Sequence, residues 1–192
     1  MQCGRALLID PPSGVSTFAG RVIGGMFDSP GTAPGGNASA AEIRPAGFVY
    51  DVAFTGTWFG NSAFVDGLLV LPSGSGVVDG VELTGCEFVD NGATGLEVIG
   101  AGAKNVTATG CLSSGNTNYG MSFASACGTF TVTGNRVGVT GVHGTNSIGI
   151  NIDATAHTDY VVVANNLTGN TMSGLFDATT GTPNRVVANN LT

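Results

Sequence analysis

The heptapeptide "VVANNLT" occupies residues 162–168 and returns unchanged at residues 186–192, 24 residues later. An internal repeat with a period of this length is typical of an architecture built from stacked supersecondary units. Apolar residues alternate ahead of the small residue, as in Tyr160 and Val162, which is the period-two pattern of a strand with one buried face. The heptapeptide therefore predicts one strand and one turn of a repeating β unit.

Two series of small residues run through the chain in step with this unit. The first series ends each strand at intervals of 24 to 32 residues, and its members are Gly24, Gly56, Gly85, Gly110, Gly134, Ala164 and Ala188. The second series follows 10 to 16 residues behind and consists of Ala40, Gly67, Gly95, Gly120, Gly149 and Gly174. Such short strands cannot bury their faces alone, but coils stacked on one another form a continuous core.

We therefore expect an all-β fold, a right-handed single-stranded parallel β-helix (a solenoid) of about seven coils of 24 to 32 residues. Residues 1–192 are expected to form one domain. Because the sequence stops on the second heptapeptide, in the middle of a coil, we also expect uncapped ends and a chain that is a section of a longer fibre.

The motifs "NTNYGMSFASACGTFTVTGN" (residues 116–135) and "NSIGINIDATAHTDYVVVANN" (residues 146–166) resemble the right-handed parallel β-helix of the pectate-lyase-like superfamily. With Gly, Ala, Thr and Asn dominating, the chain looks most like β-helical phage tail spikes and tail fibres. The resemblance implies a virion protein that binds a bacterial surface polysaccharide, forms a homotrimer or joins other fibre chains, and carries a ladder of stacked asparagines.

Stacked positions can be read as columns, because equivalent residues of neighbouring coils lie about 4.8 Å apart. The column after the first series contains Asn135, Asn165 and Asn189, which we assign to the structural asparagine ladder. Cys86 and Cys111 fall in the same column, as stacked thiols or as a bridged pair. The apolar column two residues further on is expected to be buried; it comprises Phe27, Phe59, Phe88, Ser113, Val137, Leu167 and Leu191. In the heptapeptides, Val162 and Val186 are expected to face the core.

Composition excludes several classes of function. The net charge is −7 with only six Lys plus Arg, so no basic face is available for nucleic acid or for an anionic membrane. The first residues, "MQCGRALLIDPPSG", contain too short an apolar run for a signal peptide or a membrane span. We therefore expect no membrane insertion and, with the resemblance, a location in the virion.

The candidate catalytic residues are outward carboxylates, since glycoside hydrolysis needs an acid and a base or nucleophile about 5 to 9.5 Å apart. Glu82, Glu87 and Glu97 are the candidates, and Glu42 lies two coils away in the column of Glu97. Trp58, the only Trp, lies one coil below Glu87 and is the candidate carbohydrate-binding residue. Solvated acids on the outside of a strand are the alternative interpretation of the three glutamates.

No metal or cofactor is expected. The four cysteines lack the spacing of a metal site or a disulfide scaffold, and no DxD motif occurs. The roles of His143 and His157 stay open, with ordinary loop histidines as the simpler interpretation.

Three functions remain open at this point. The first is a non-catalytic tail spike or tail fibre segment for host polysaccharide recognition. The second is a depolymerase of the same fold, a hydrolase or lyase, although the active-site motifs of such enzymes are not matched residue by residue. The third is a bacterial secreted or surface β-helix protein.

Overall fold

A computed structural model describes residues 6–28, 39–63, 65–139, 141–155, 159–179 and 184–192. Within these ranges the chain forms short strands and no helix. In chain order the strands are β1 (Leu7–Ile9), β2 (Ser16–Phe18), β3 (Arg21–Ile23), β4 (Met26–Asp28), β5 (Ala41–Ile43), β6 (Phe48–Thr55), β7 (Trp58–Gly60), β8 (Leu68–Val70), β9 (Val77–Thr84), β10 (Glu87–Val89), β11 (Leu96–Ile99), β12 (Ala103–Thr109), β13 (Leu112–Ser114), β14 (Tyr119–Ala124), β15 (Phe130–Thr133), β16 (Arg136–Val137), β17 (Ile148–Ile152), β18 (Asp159–Val163), β19 (Ser173–Asp177) and β20 (Asn184–Ala188).

The strands stack into three parallel sheets. The first sheet has the order β1-β5-β8-β11-β14-β17-β19, the second β2-β6-β9-β12-β15-β18-β20 with β3 also on β6, and the third β4-β7-β10-β13-β16. Each strand pairs with its equivalent in the neighbouring coil, so the described residues wind through about six turns. The all-β parallel solenoid is confirmed, and its parallel crossovers fit the right-handed form.

Aromatic rings and aliphatic side chains fill the interior. Phe59 and Phe88 stack with ring centroids 5.2 Å apart, in the apolar column that the sequence predicts. Further along the axis, Phe123, Phe130 and Tyr160 form a second stack with centroids 4.0 Å and 4.9 Å apart. Phe59 and Phe88, like Phe130 and Tyr160, occupy equivalent positions of adjacent coils, so their stacking stabilises one coil against the next.

The two series of small residues have different physical causes. Gly56, Gly85 and Gly110 have left-handed φ values of 55°, 59° and 62°, so the first series supplies the residue that can turn the chain after each second-sheet strand. The second series is a column of close backbone contacts. A Cβ added at Gly95 would lie 2.5 Å from the carbonyl oxygen of Gly120, which leaves no room for a side chain.

The asparagine ladder is confirmed for Asn135 and Asn165. The Asn165 Oδ1 accepts hydrogen bonds from the backbone N–H (3.0 Å) and the side-chain Nδ2 (2.9 Å) of Asn135. The Asn135 Oδ1 in turn accepts from the backbone N–H of Cys111 at 2.8 Å. Each buried amide oxygen therefore accepts a hydrogen bond from a backbone N–H at the turn of the coil below it.

The prediction for Asn189 is wrong, because the last coil is shifted by one residue relative to the repeated heptapeptide. Val163 pairs with Ala188, and Asn190 fills the amide column, where its Oδ1 accepts from the Asn165 backbone N–H at 3.0 Å. Asn189 takes the left-handed position with φ 54°. Asparagine adopts that conformation more readily than the alanine that an exact repeat would place there.

Because of the same shift, the predicted core positions of the second heptapeptide are also wrong. Val186 and Leu191 are 52% and 61% exposed, whereas Val162 and Leu167 in the first copy are buried. Val187 pairs with Val162 in place of Val186. A one-residue change of register moves every side chain of a strand to the opposite face.

A second amide ladder, missed from the sequence, lies at the turn between the third and first sheets. The Asn116 Oδ1 accepts from the backbone N–H (3.2 Å) and Nδ2 (2.9 Å) of Asn91, and the Asn146 Oδ1 repeats the contact with Asn116 at 3.0 Å and 2.9 Å. Asn146 then donates to Asn170 at 3.1 Å. The sequence signal was an asparagine three or four residues before four members of the second glycine series.

Candidate functional site

The three candidate glutamates lie on three different sheets, so the structure does not bring them together. Glu82 is on the second sheet, where its side chain is 68% exposed and its Oε2 lies 3.6 Å from Arg21 Nη1. An exposed ion pair of this kind is an ordinary solvated surface contact. Glu87 and Glu97 have more specific surroundings.

Trp58 and Glu87 are direct neighbours on the outside of the third sheet. The parallel register pairs Trp58 with Glu87, as expected from the sequence. Phe59, the next residue after Trp58, is buried in the core. The indole lies over Gly60, since a Cβ there would meet Trp58 Nε1 at 2.4 Å. A side chain at position 60 would therefore collide with the indole. The Trp58 Nε1 is buried without a hydrogen-bond partner in the part of the chain that the structure describes.

A loop from a later coil adds a histidine and its acid partner to this surface. His143 Nδ1 lies 2.6 Å from Asp90 Oδ2, and the His143 ring meets Trp58 edge-on with centroids 5.8 Å apart. Ser114 Oγ donates to the Gly144 carbonyl at 2.8 Å, which fixes the loop against the third sheet. His143, whose role the sequence left open, thus contacts both Trp58 and Asp90.

We call Trp58, Glu87, Asp90 and His143 the aromatic patch. The Asp90 side chain is 41% exposed, that of His143 is 17% exposed, and Trp58 and Glu87 are half-buried. The patch combines a flat apolar surface with carboxylate oxygens that accept hydrogen bonds. Such a combination can stack on a ring and bind its hydroxyl groups.

Glu97 belongs to a second acidic group, on the first sheet. Its carboxyl hydrogen-bonds with that of Asp66, which is only 6% exposed and accepts the Thr94 backbone N–H at 3.0 Å. Burial, the Asp66 charge and the shared hydrogen bond raise the pKa of Glu97 to about 7. Burial also raises the pKa of Asp66. We call these residues the carboxyl pair, and the pair holds a proton near neutral pH.

Glu42 lies in the outward column of Glu97, two coils away with Leu69 between them, as expected. Its carboxylate is buried but has partners of its own. Its Oε1 accepts the Ser39 backbone N–H at 3.1 Å, and its Oε2 lies 3.3 Å from Arg44 Nη1. Both oxygens of the Glu42 carboxylate therefore have partners within the protein, and Glu42 lies next to the carboxyl pair.

The cysteine column is also as expected. Cys86 and Cys111 are free thiols in neighbouring coils, and both are buried. Their sulfur atoms lie 3.3 Å and 3.5 Å from the carbonyl oxygens of Phe54 and Leu83. The hydrogen bond between the thiols lowers the pKa of Cys86 and raises that of Cys111. Stacked thiols, rather than a bridged pair, are observed.

Across the residues that the structure describes, no group of three or more His, Cys, Asp or Glu side chains is arranged to hold a metal ion. His157, whose role the sequence left open, lies outside those residues. No helix in the described ranges is long and apolar enough to cross a bilayer.

Three stacked parallel sheets with internal amide ladders define the class as a parallel β-helix protein. Residues 46–192 match the family described as NosD, periplasmic copper-binding protein, and the chain belongs to this family. No curated protein matches the chain, and no solved structure matches it either. The match agrees with the predicted parallel β-helix, but it gives no support to a place in the pectate-lyase-like superfamily or among phage tail spikes.

Proposed function

We propose that this chain is a bacterial periplasmic or cell-surface β-helix protein that binds a glycan on the aromatic patch. The family description supports the periplasmic or surface location, which was the third function left open by the sequence, over the virion location. The observation that supports glycan binding is the Trp58 indole over Gly60 on the third sheet, paired with Glu87 and in contact with His143, which in turn contacts Asp90.

The chemistry of the patch suits a sugar ring. The apolar face of a pyranose stacks on an indole, and the hydroxyl groups around it donate hydrogen bonds to carboxylate oxygens. The loop that carries His143 is held by Ser114, so the patch is largely formed before a ligand arrives. A preformed surface loses little conformational entropy on binding.

The described His, Cys, Asp and Glu side chains do not form a copper site, although the family name includes copper. Copper favours thiolate, thioether and imidazole ligands, and a thiol must lose its proton to bind the metal. Cys86 and Cys111 are enclosed in the core against backbone carbonyls, and His143 belongs to no described group of three or more His, Cys, Asp or Glu side chains that could hold a metal ion. We therefore assign no copper-dependent step to these residues.

A polysaccharide depolymerase is the second candidate, because the raised pKa of Glu97 suits a general acid. The geometry disfavours it. Glu97 and Asp66 are within hydrogen-bond distance, which is shorter than the separation of about 5 to 9.5 Å that glycoside hydrolysis requires. The carboxyl pair is therefore better explained as a structural, protonated pair, and binding without cleavage is the function we favour.

Fluorescence of Trp58, the only tryptophan, tests the proposal directly. Titration with oligosaccharides from bacterial surface polysaccharides should change the intensity or wavelength of its emission in a saturable way. Glu87→Gln should weaken the response, while Glu82→Gln, an equally outward glutamate on the second sheet, should not. Chromatography of the same sugars checks cleavage: shortened chains would favour the depolymerase. An unchanged emission with every sugar would contradict glycan binding at Trp58.

The homotrimer expected from the sequence remains a prediction. Sedimentation of the 19.1 kDa chain distinguishes a trimer from a monomer.

A further inference from the structure

We infer that the aromatic patch selects glycans that carry free amino groups, an inference that rests on the proposed glycan-binding function. The patch offers two things that a protonated amine requires at one place. One is a half-buried tryptophan ring on the outside of the sheet, and the other is a carboxylate on the neighbouring coil.

Glu87 is the acidic residue that is available to a ligand. In the described part of the chain, Glu87 has neither an ion-pair partner nor a side-chain hydrogen bond, whereas Asp90 contacts His143 at 2.6 Å. Asp28, at the end of a third-sheet strand, accepts a hydrogen bond from Asn61 Nδ2 at 2.6 Å. A ligand ammonium could therefore pair with Glu87 without displacing an existing cation.

The nearest outward cation on the same column is directed elsewhere. Arg136 lies two coils above Glu87, and its Nη2 donates to the Val139 carbonyl at 3.1 Å. The patch and its surroundings on the third sheet thus have a surplus of negative charge. The whole chain, at −7, has the same sign.

The distance between Trp58 and Glu87 suits a sugar ammonium. Equivalent positions of adjacent coils are about 4.8 Å apart, so one ammonium can lie over the indole and still contact the carboxylate. Tryptophan is the side chain with the strongest cation–π attraction. A uronic acid at the same place would bring its carboxylate against Glu87 and Asp90, where like charges repel.

The experiment compares three matched oligosaccharides by Trp58 emission and calorimetry: tetramers of glucosamine, N-acetylglucosamine and galacturonate. At pH 6 and low salt we expect the glucosamine tetramer to bind about tenfold more tightly than the N-acetylated one, an advantage reduced by added salt. Galacturonate should bind most weakly. Glu87→Gln should remove most of the preference for glucosamine while weakening binding of the N-acetylated tetramer only about two- to threefold, and Glu82→Gln should change neither.

The outcomes separate the two claims. If none of the three sugars nor any surface oligosaccharide alters Trp58 emission, the proposed function fails. If the N-acetylated or acidic tetramer binds as tightly as glucosamine, glycan binding stands and the amine selectivity is wrong. A preference for glucosamine that survives Glu87→Gln also overturns the inference, provided that circular dichroism shows the variant folded.

Discussion

The aromatic patch on the third sheet and the carboxyl pair on the first sheet both begin as an acidic side chain on the outside of a parallel strand, yet they behave differently. The half-buried Glu87 lies beside Trp58, and within the described residues its side chain has no hydrogen-bond or ion-pair partner. Glu97 shares a hydrogen bond with the buried Asp66. What lies next to an outward carboxylate therefore decides whether it can meet a ligand or instead holds a proton.

Both surfaces depend on the same turn. The second amide ladder lies at the turn between the third and first sheets, and Asn91 belongs to it. Asn91 directly follows Asp90 of the aromatic patch. It comes before Thr94, whose backbone N–H donates to Asp66 of the carboxyl pair. Substitutions at this shared turn, and then on each surface separately, test the difference between the aromatic patch and the carboxyl pair.

The largest effect is expected for Asn116→Ala. The buried Asn116 amide bonds to Asn91, Asn146 and the Phe88 carbonyl, and its loss leaves several buried groups unsatisfied. We expect the free energy of unfolding to fall by about 3 kcal/mol, measured by urea denaturation. The exposed Asn118→Ala is the control and should cost less than about 0.5 kcal/mol. Equal effects would show that the ladder does not stabilise this turn.

Trp58→Leu should separate the two surfaces. The indole provides the stacking face of the patch, so we expect glycan affinity in calorimetry to fall by at least about tenfold. The carboxyl pair lies on another sheet, so the pH dependence of stability should stay that of the parent chain. A variant that keeps its affinity would remove Trp58 from the binding site.

Glu97→Gln tests the other surface through pH. The folded-state pKa of about 7 is above the ordinary value of 4.5. The folded state therefore binds the Glu97 proton more tightly than the unfolded state does. This proton stabilises the folded state fully below pH 4.5, and the stabilisation is lost as the pH rises through 7. Solvent screening of the half-buried group limits the effect to about 1 to 2 kcal/mol.

Thermal unfolding between pH 4.5 and pH 8.5 measures this prediction. The parent chain should lose stability over this range through the carboxyl pair, and Glu97→Gln should flatten that part of the curve without altering glycan affinity. Glu82→Gln, on the second sheet, should follow the parent curve. Parallel curves for Glu97→Gln and the parent would contradict a shared proton.

The smallest effect is expected for His143→Ala. The variant loses the contact with Asp90 and the edge of Trp58, but Ser114 still holds the loop. Affinity should fall by roughly two- to threefold, and stability by less than about 1 kcal/mol. His143→Gln, which can still hydrogen-bond with Asp90, should keep most of the affinity. A loss as large as that of Trp58→Leu would make His143, not Trp58, the main contact.

Much of the fold could be predicted from the sequence, because a solenoid turns spacing along the chain into stacking in space. The glycine series, the Asn135 and Asn165 ladder and the pairing of Trp58 with Glu87 all follow from the repeat. The last coil could not be predicted by copying the heptapeptide. Its register depends on whether Asn189 or Ala188 takes the left-handed turn, which is a difference of local conformational energy.

The candidate site was predicted only in part, since its remaining contacts do not repeat. His143 lies in a loop that interrupts the regular coil, and its contact with Asp90 joins residues 53 positions apart. Asp66 lies just before a strand, where the alternation of faces gives no guide to its direction. Only the folded backbone places Asp66 against Glu97.

The most direct test of glycan binding at Trp58 is a crystal structure of the chain with the glucosamine tetramer. We expect a sugar ring stacked on the Trp58 indole, with its amino group within about 3.2 Å of a Glu87 carboxylate oxygen. A tetramer bound on the first or second sheet, with Trp58 left uncovered, would contradict it.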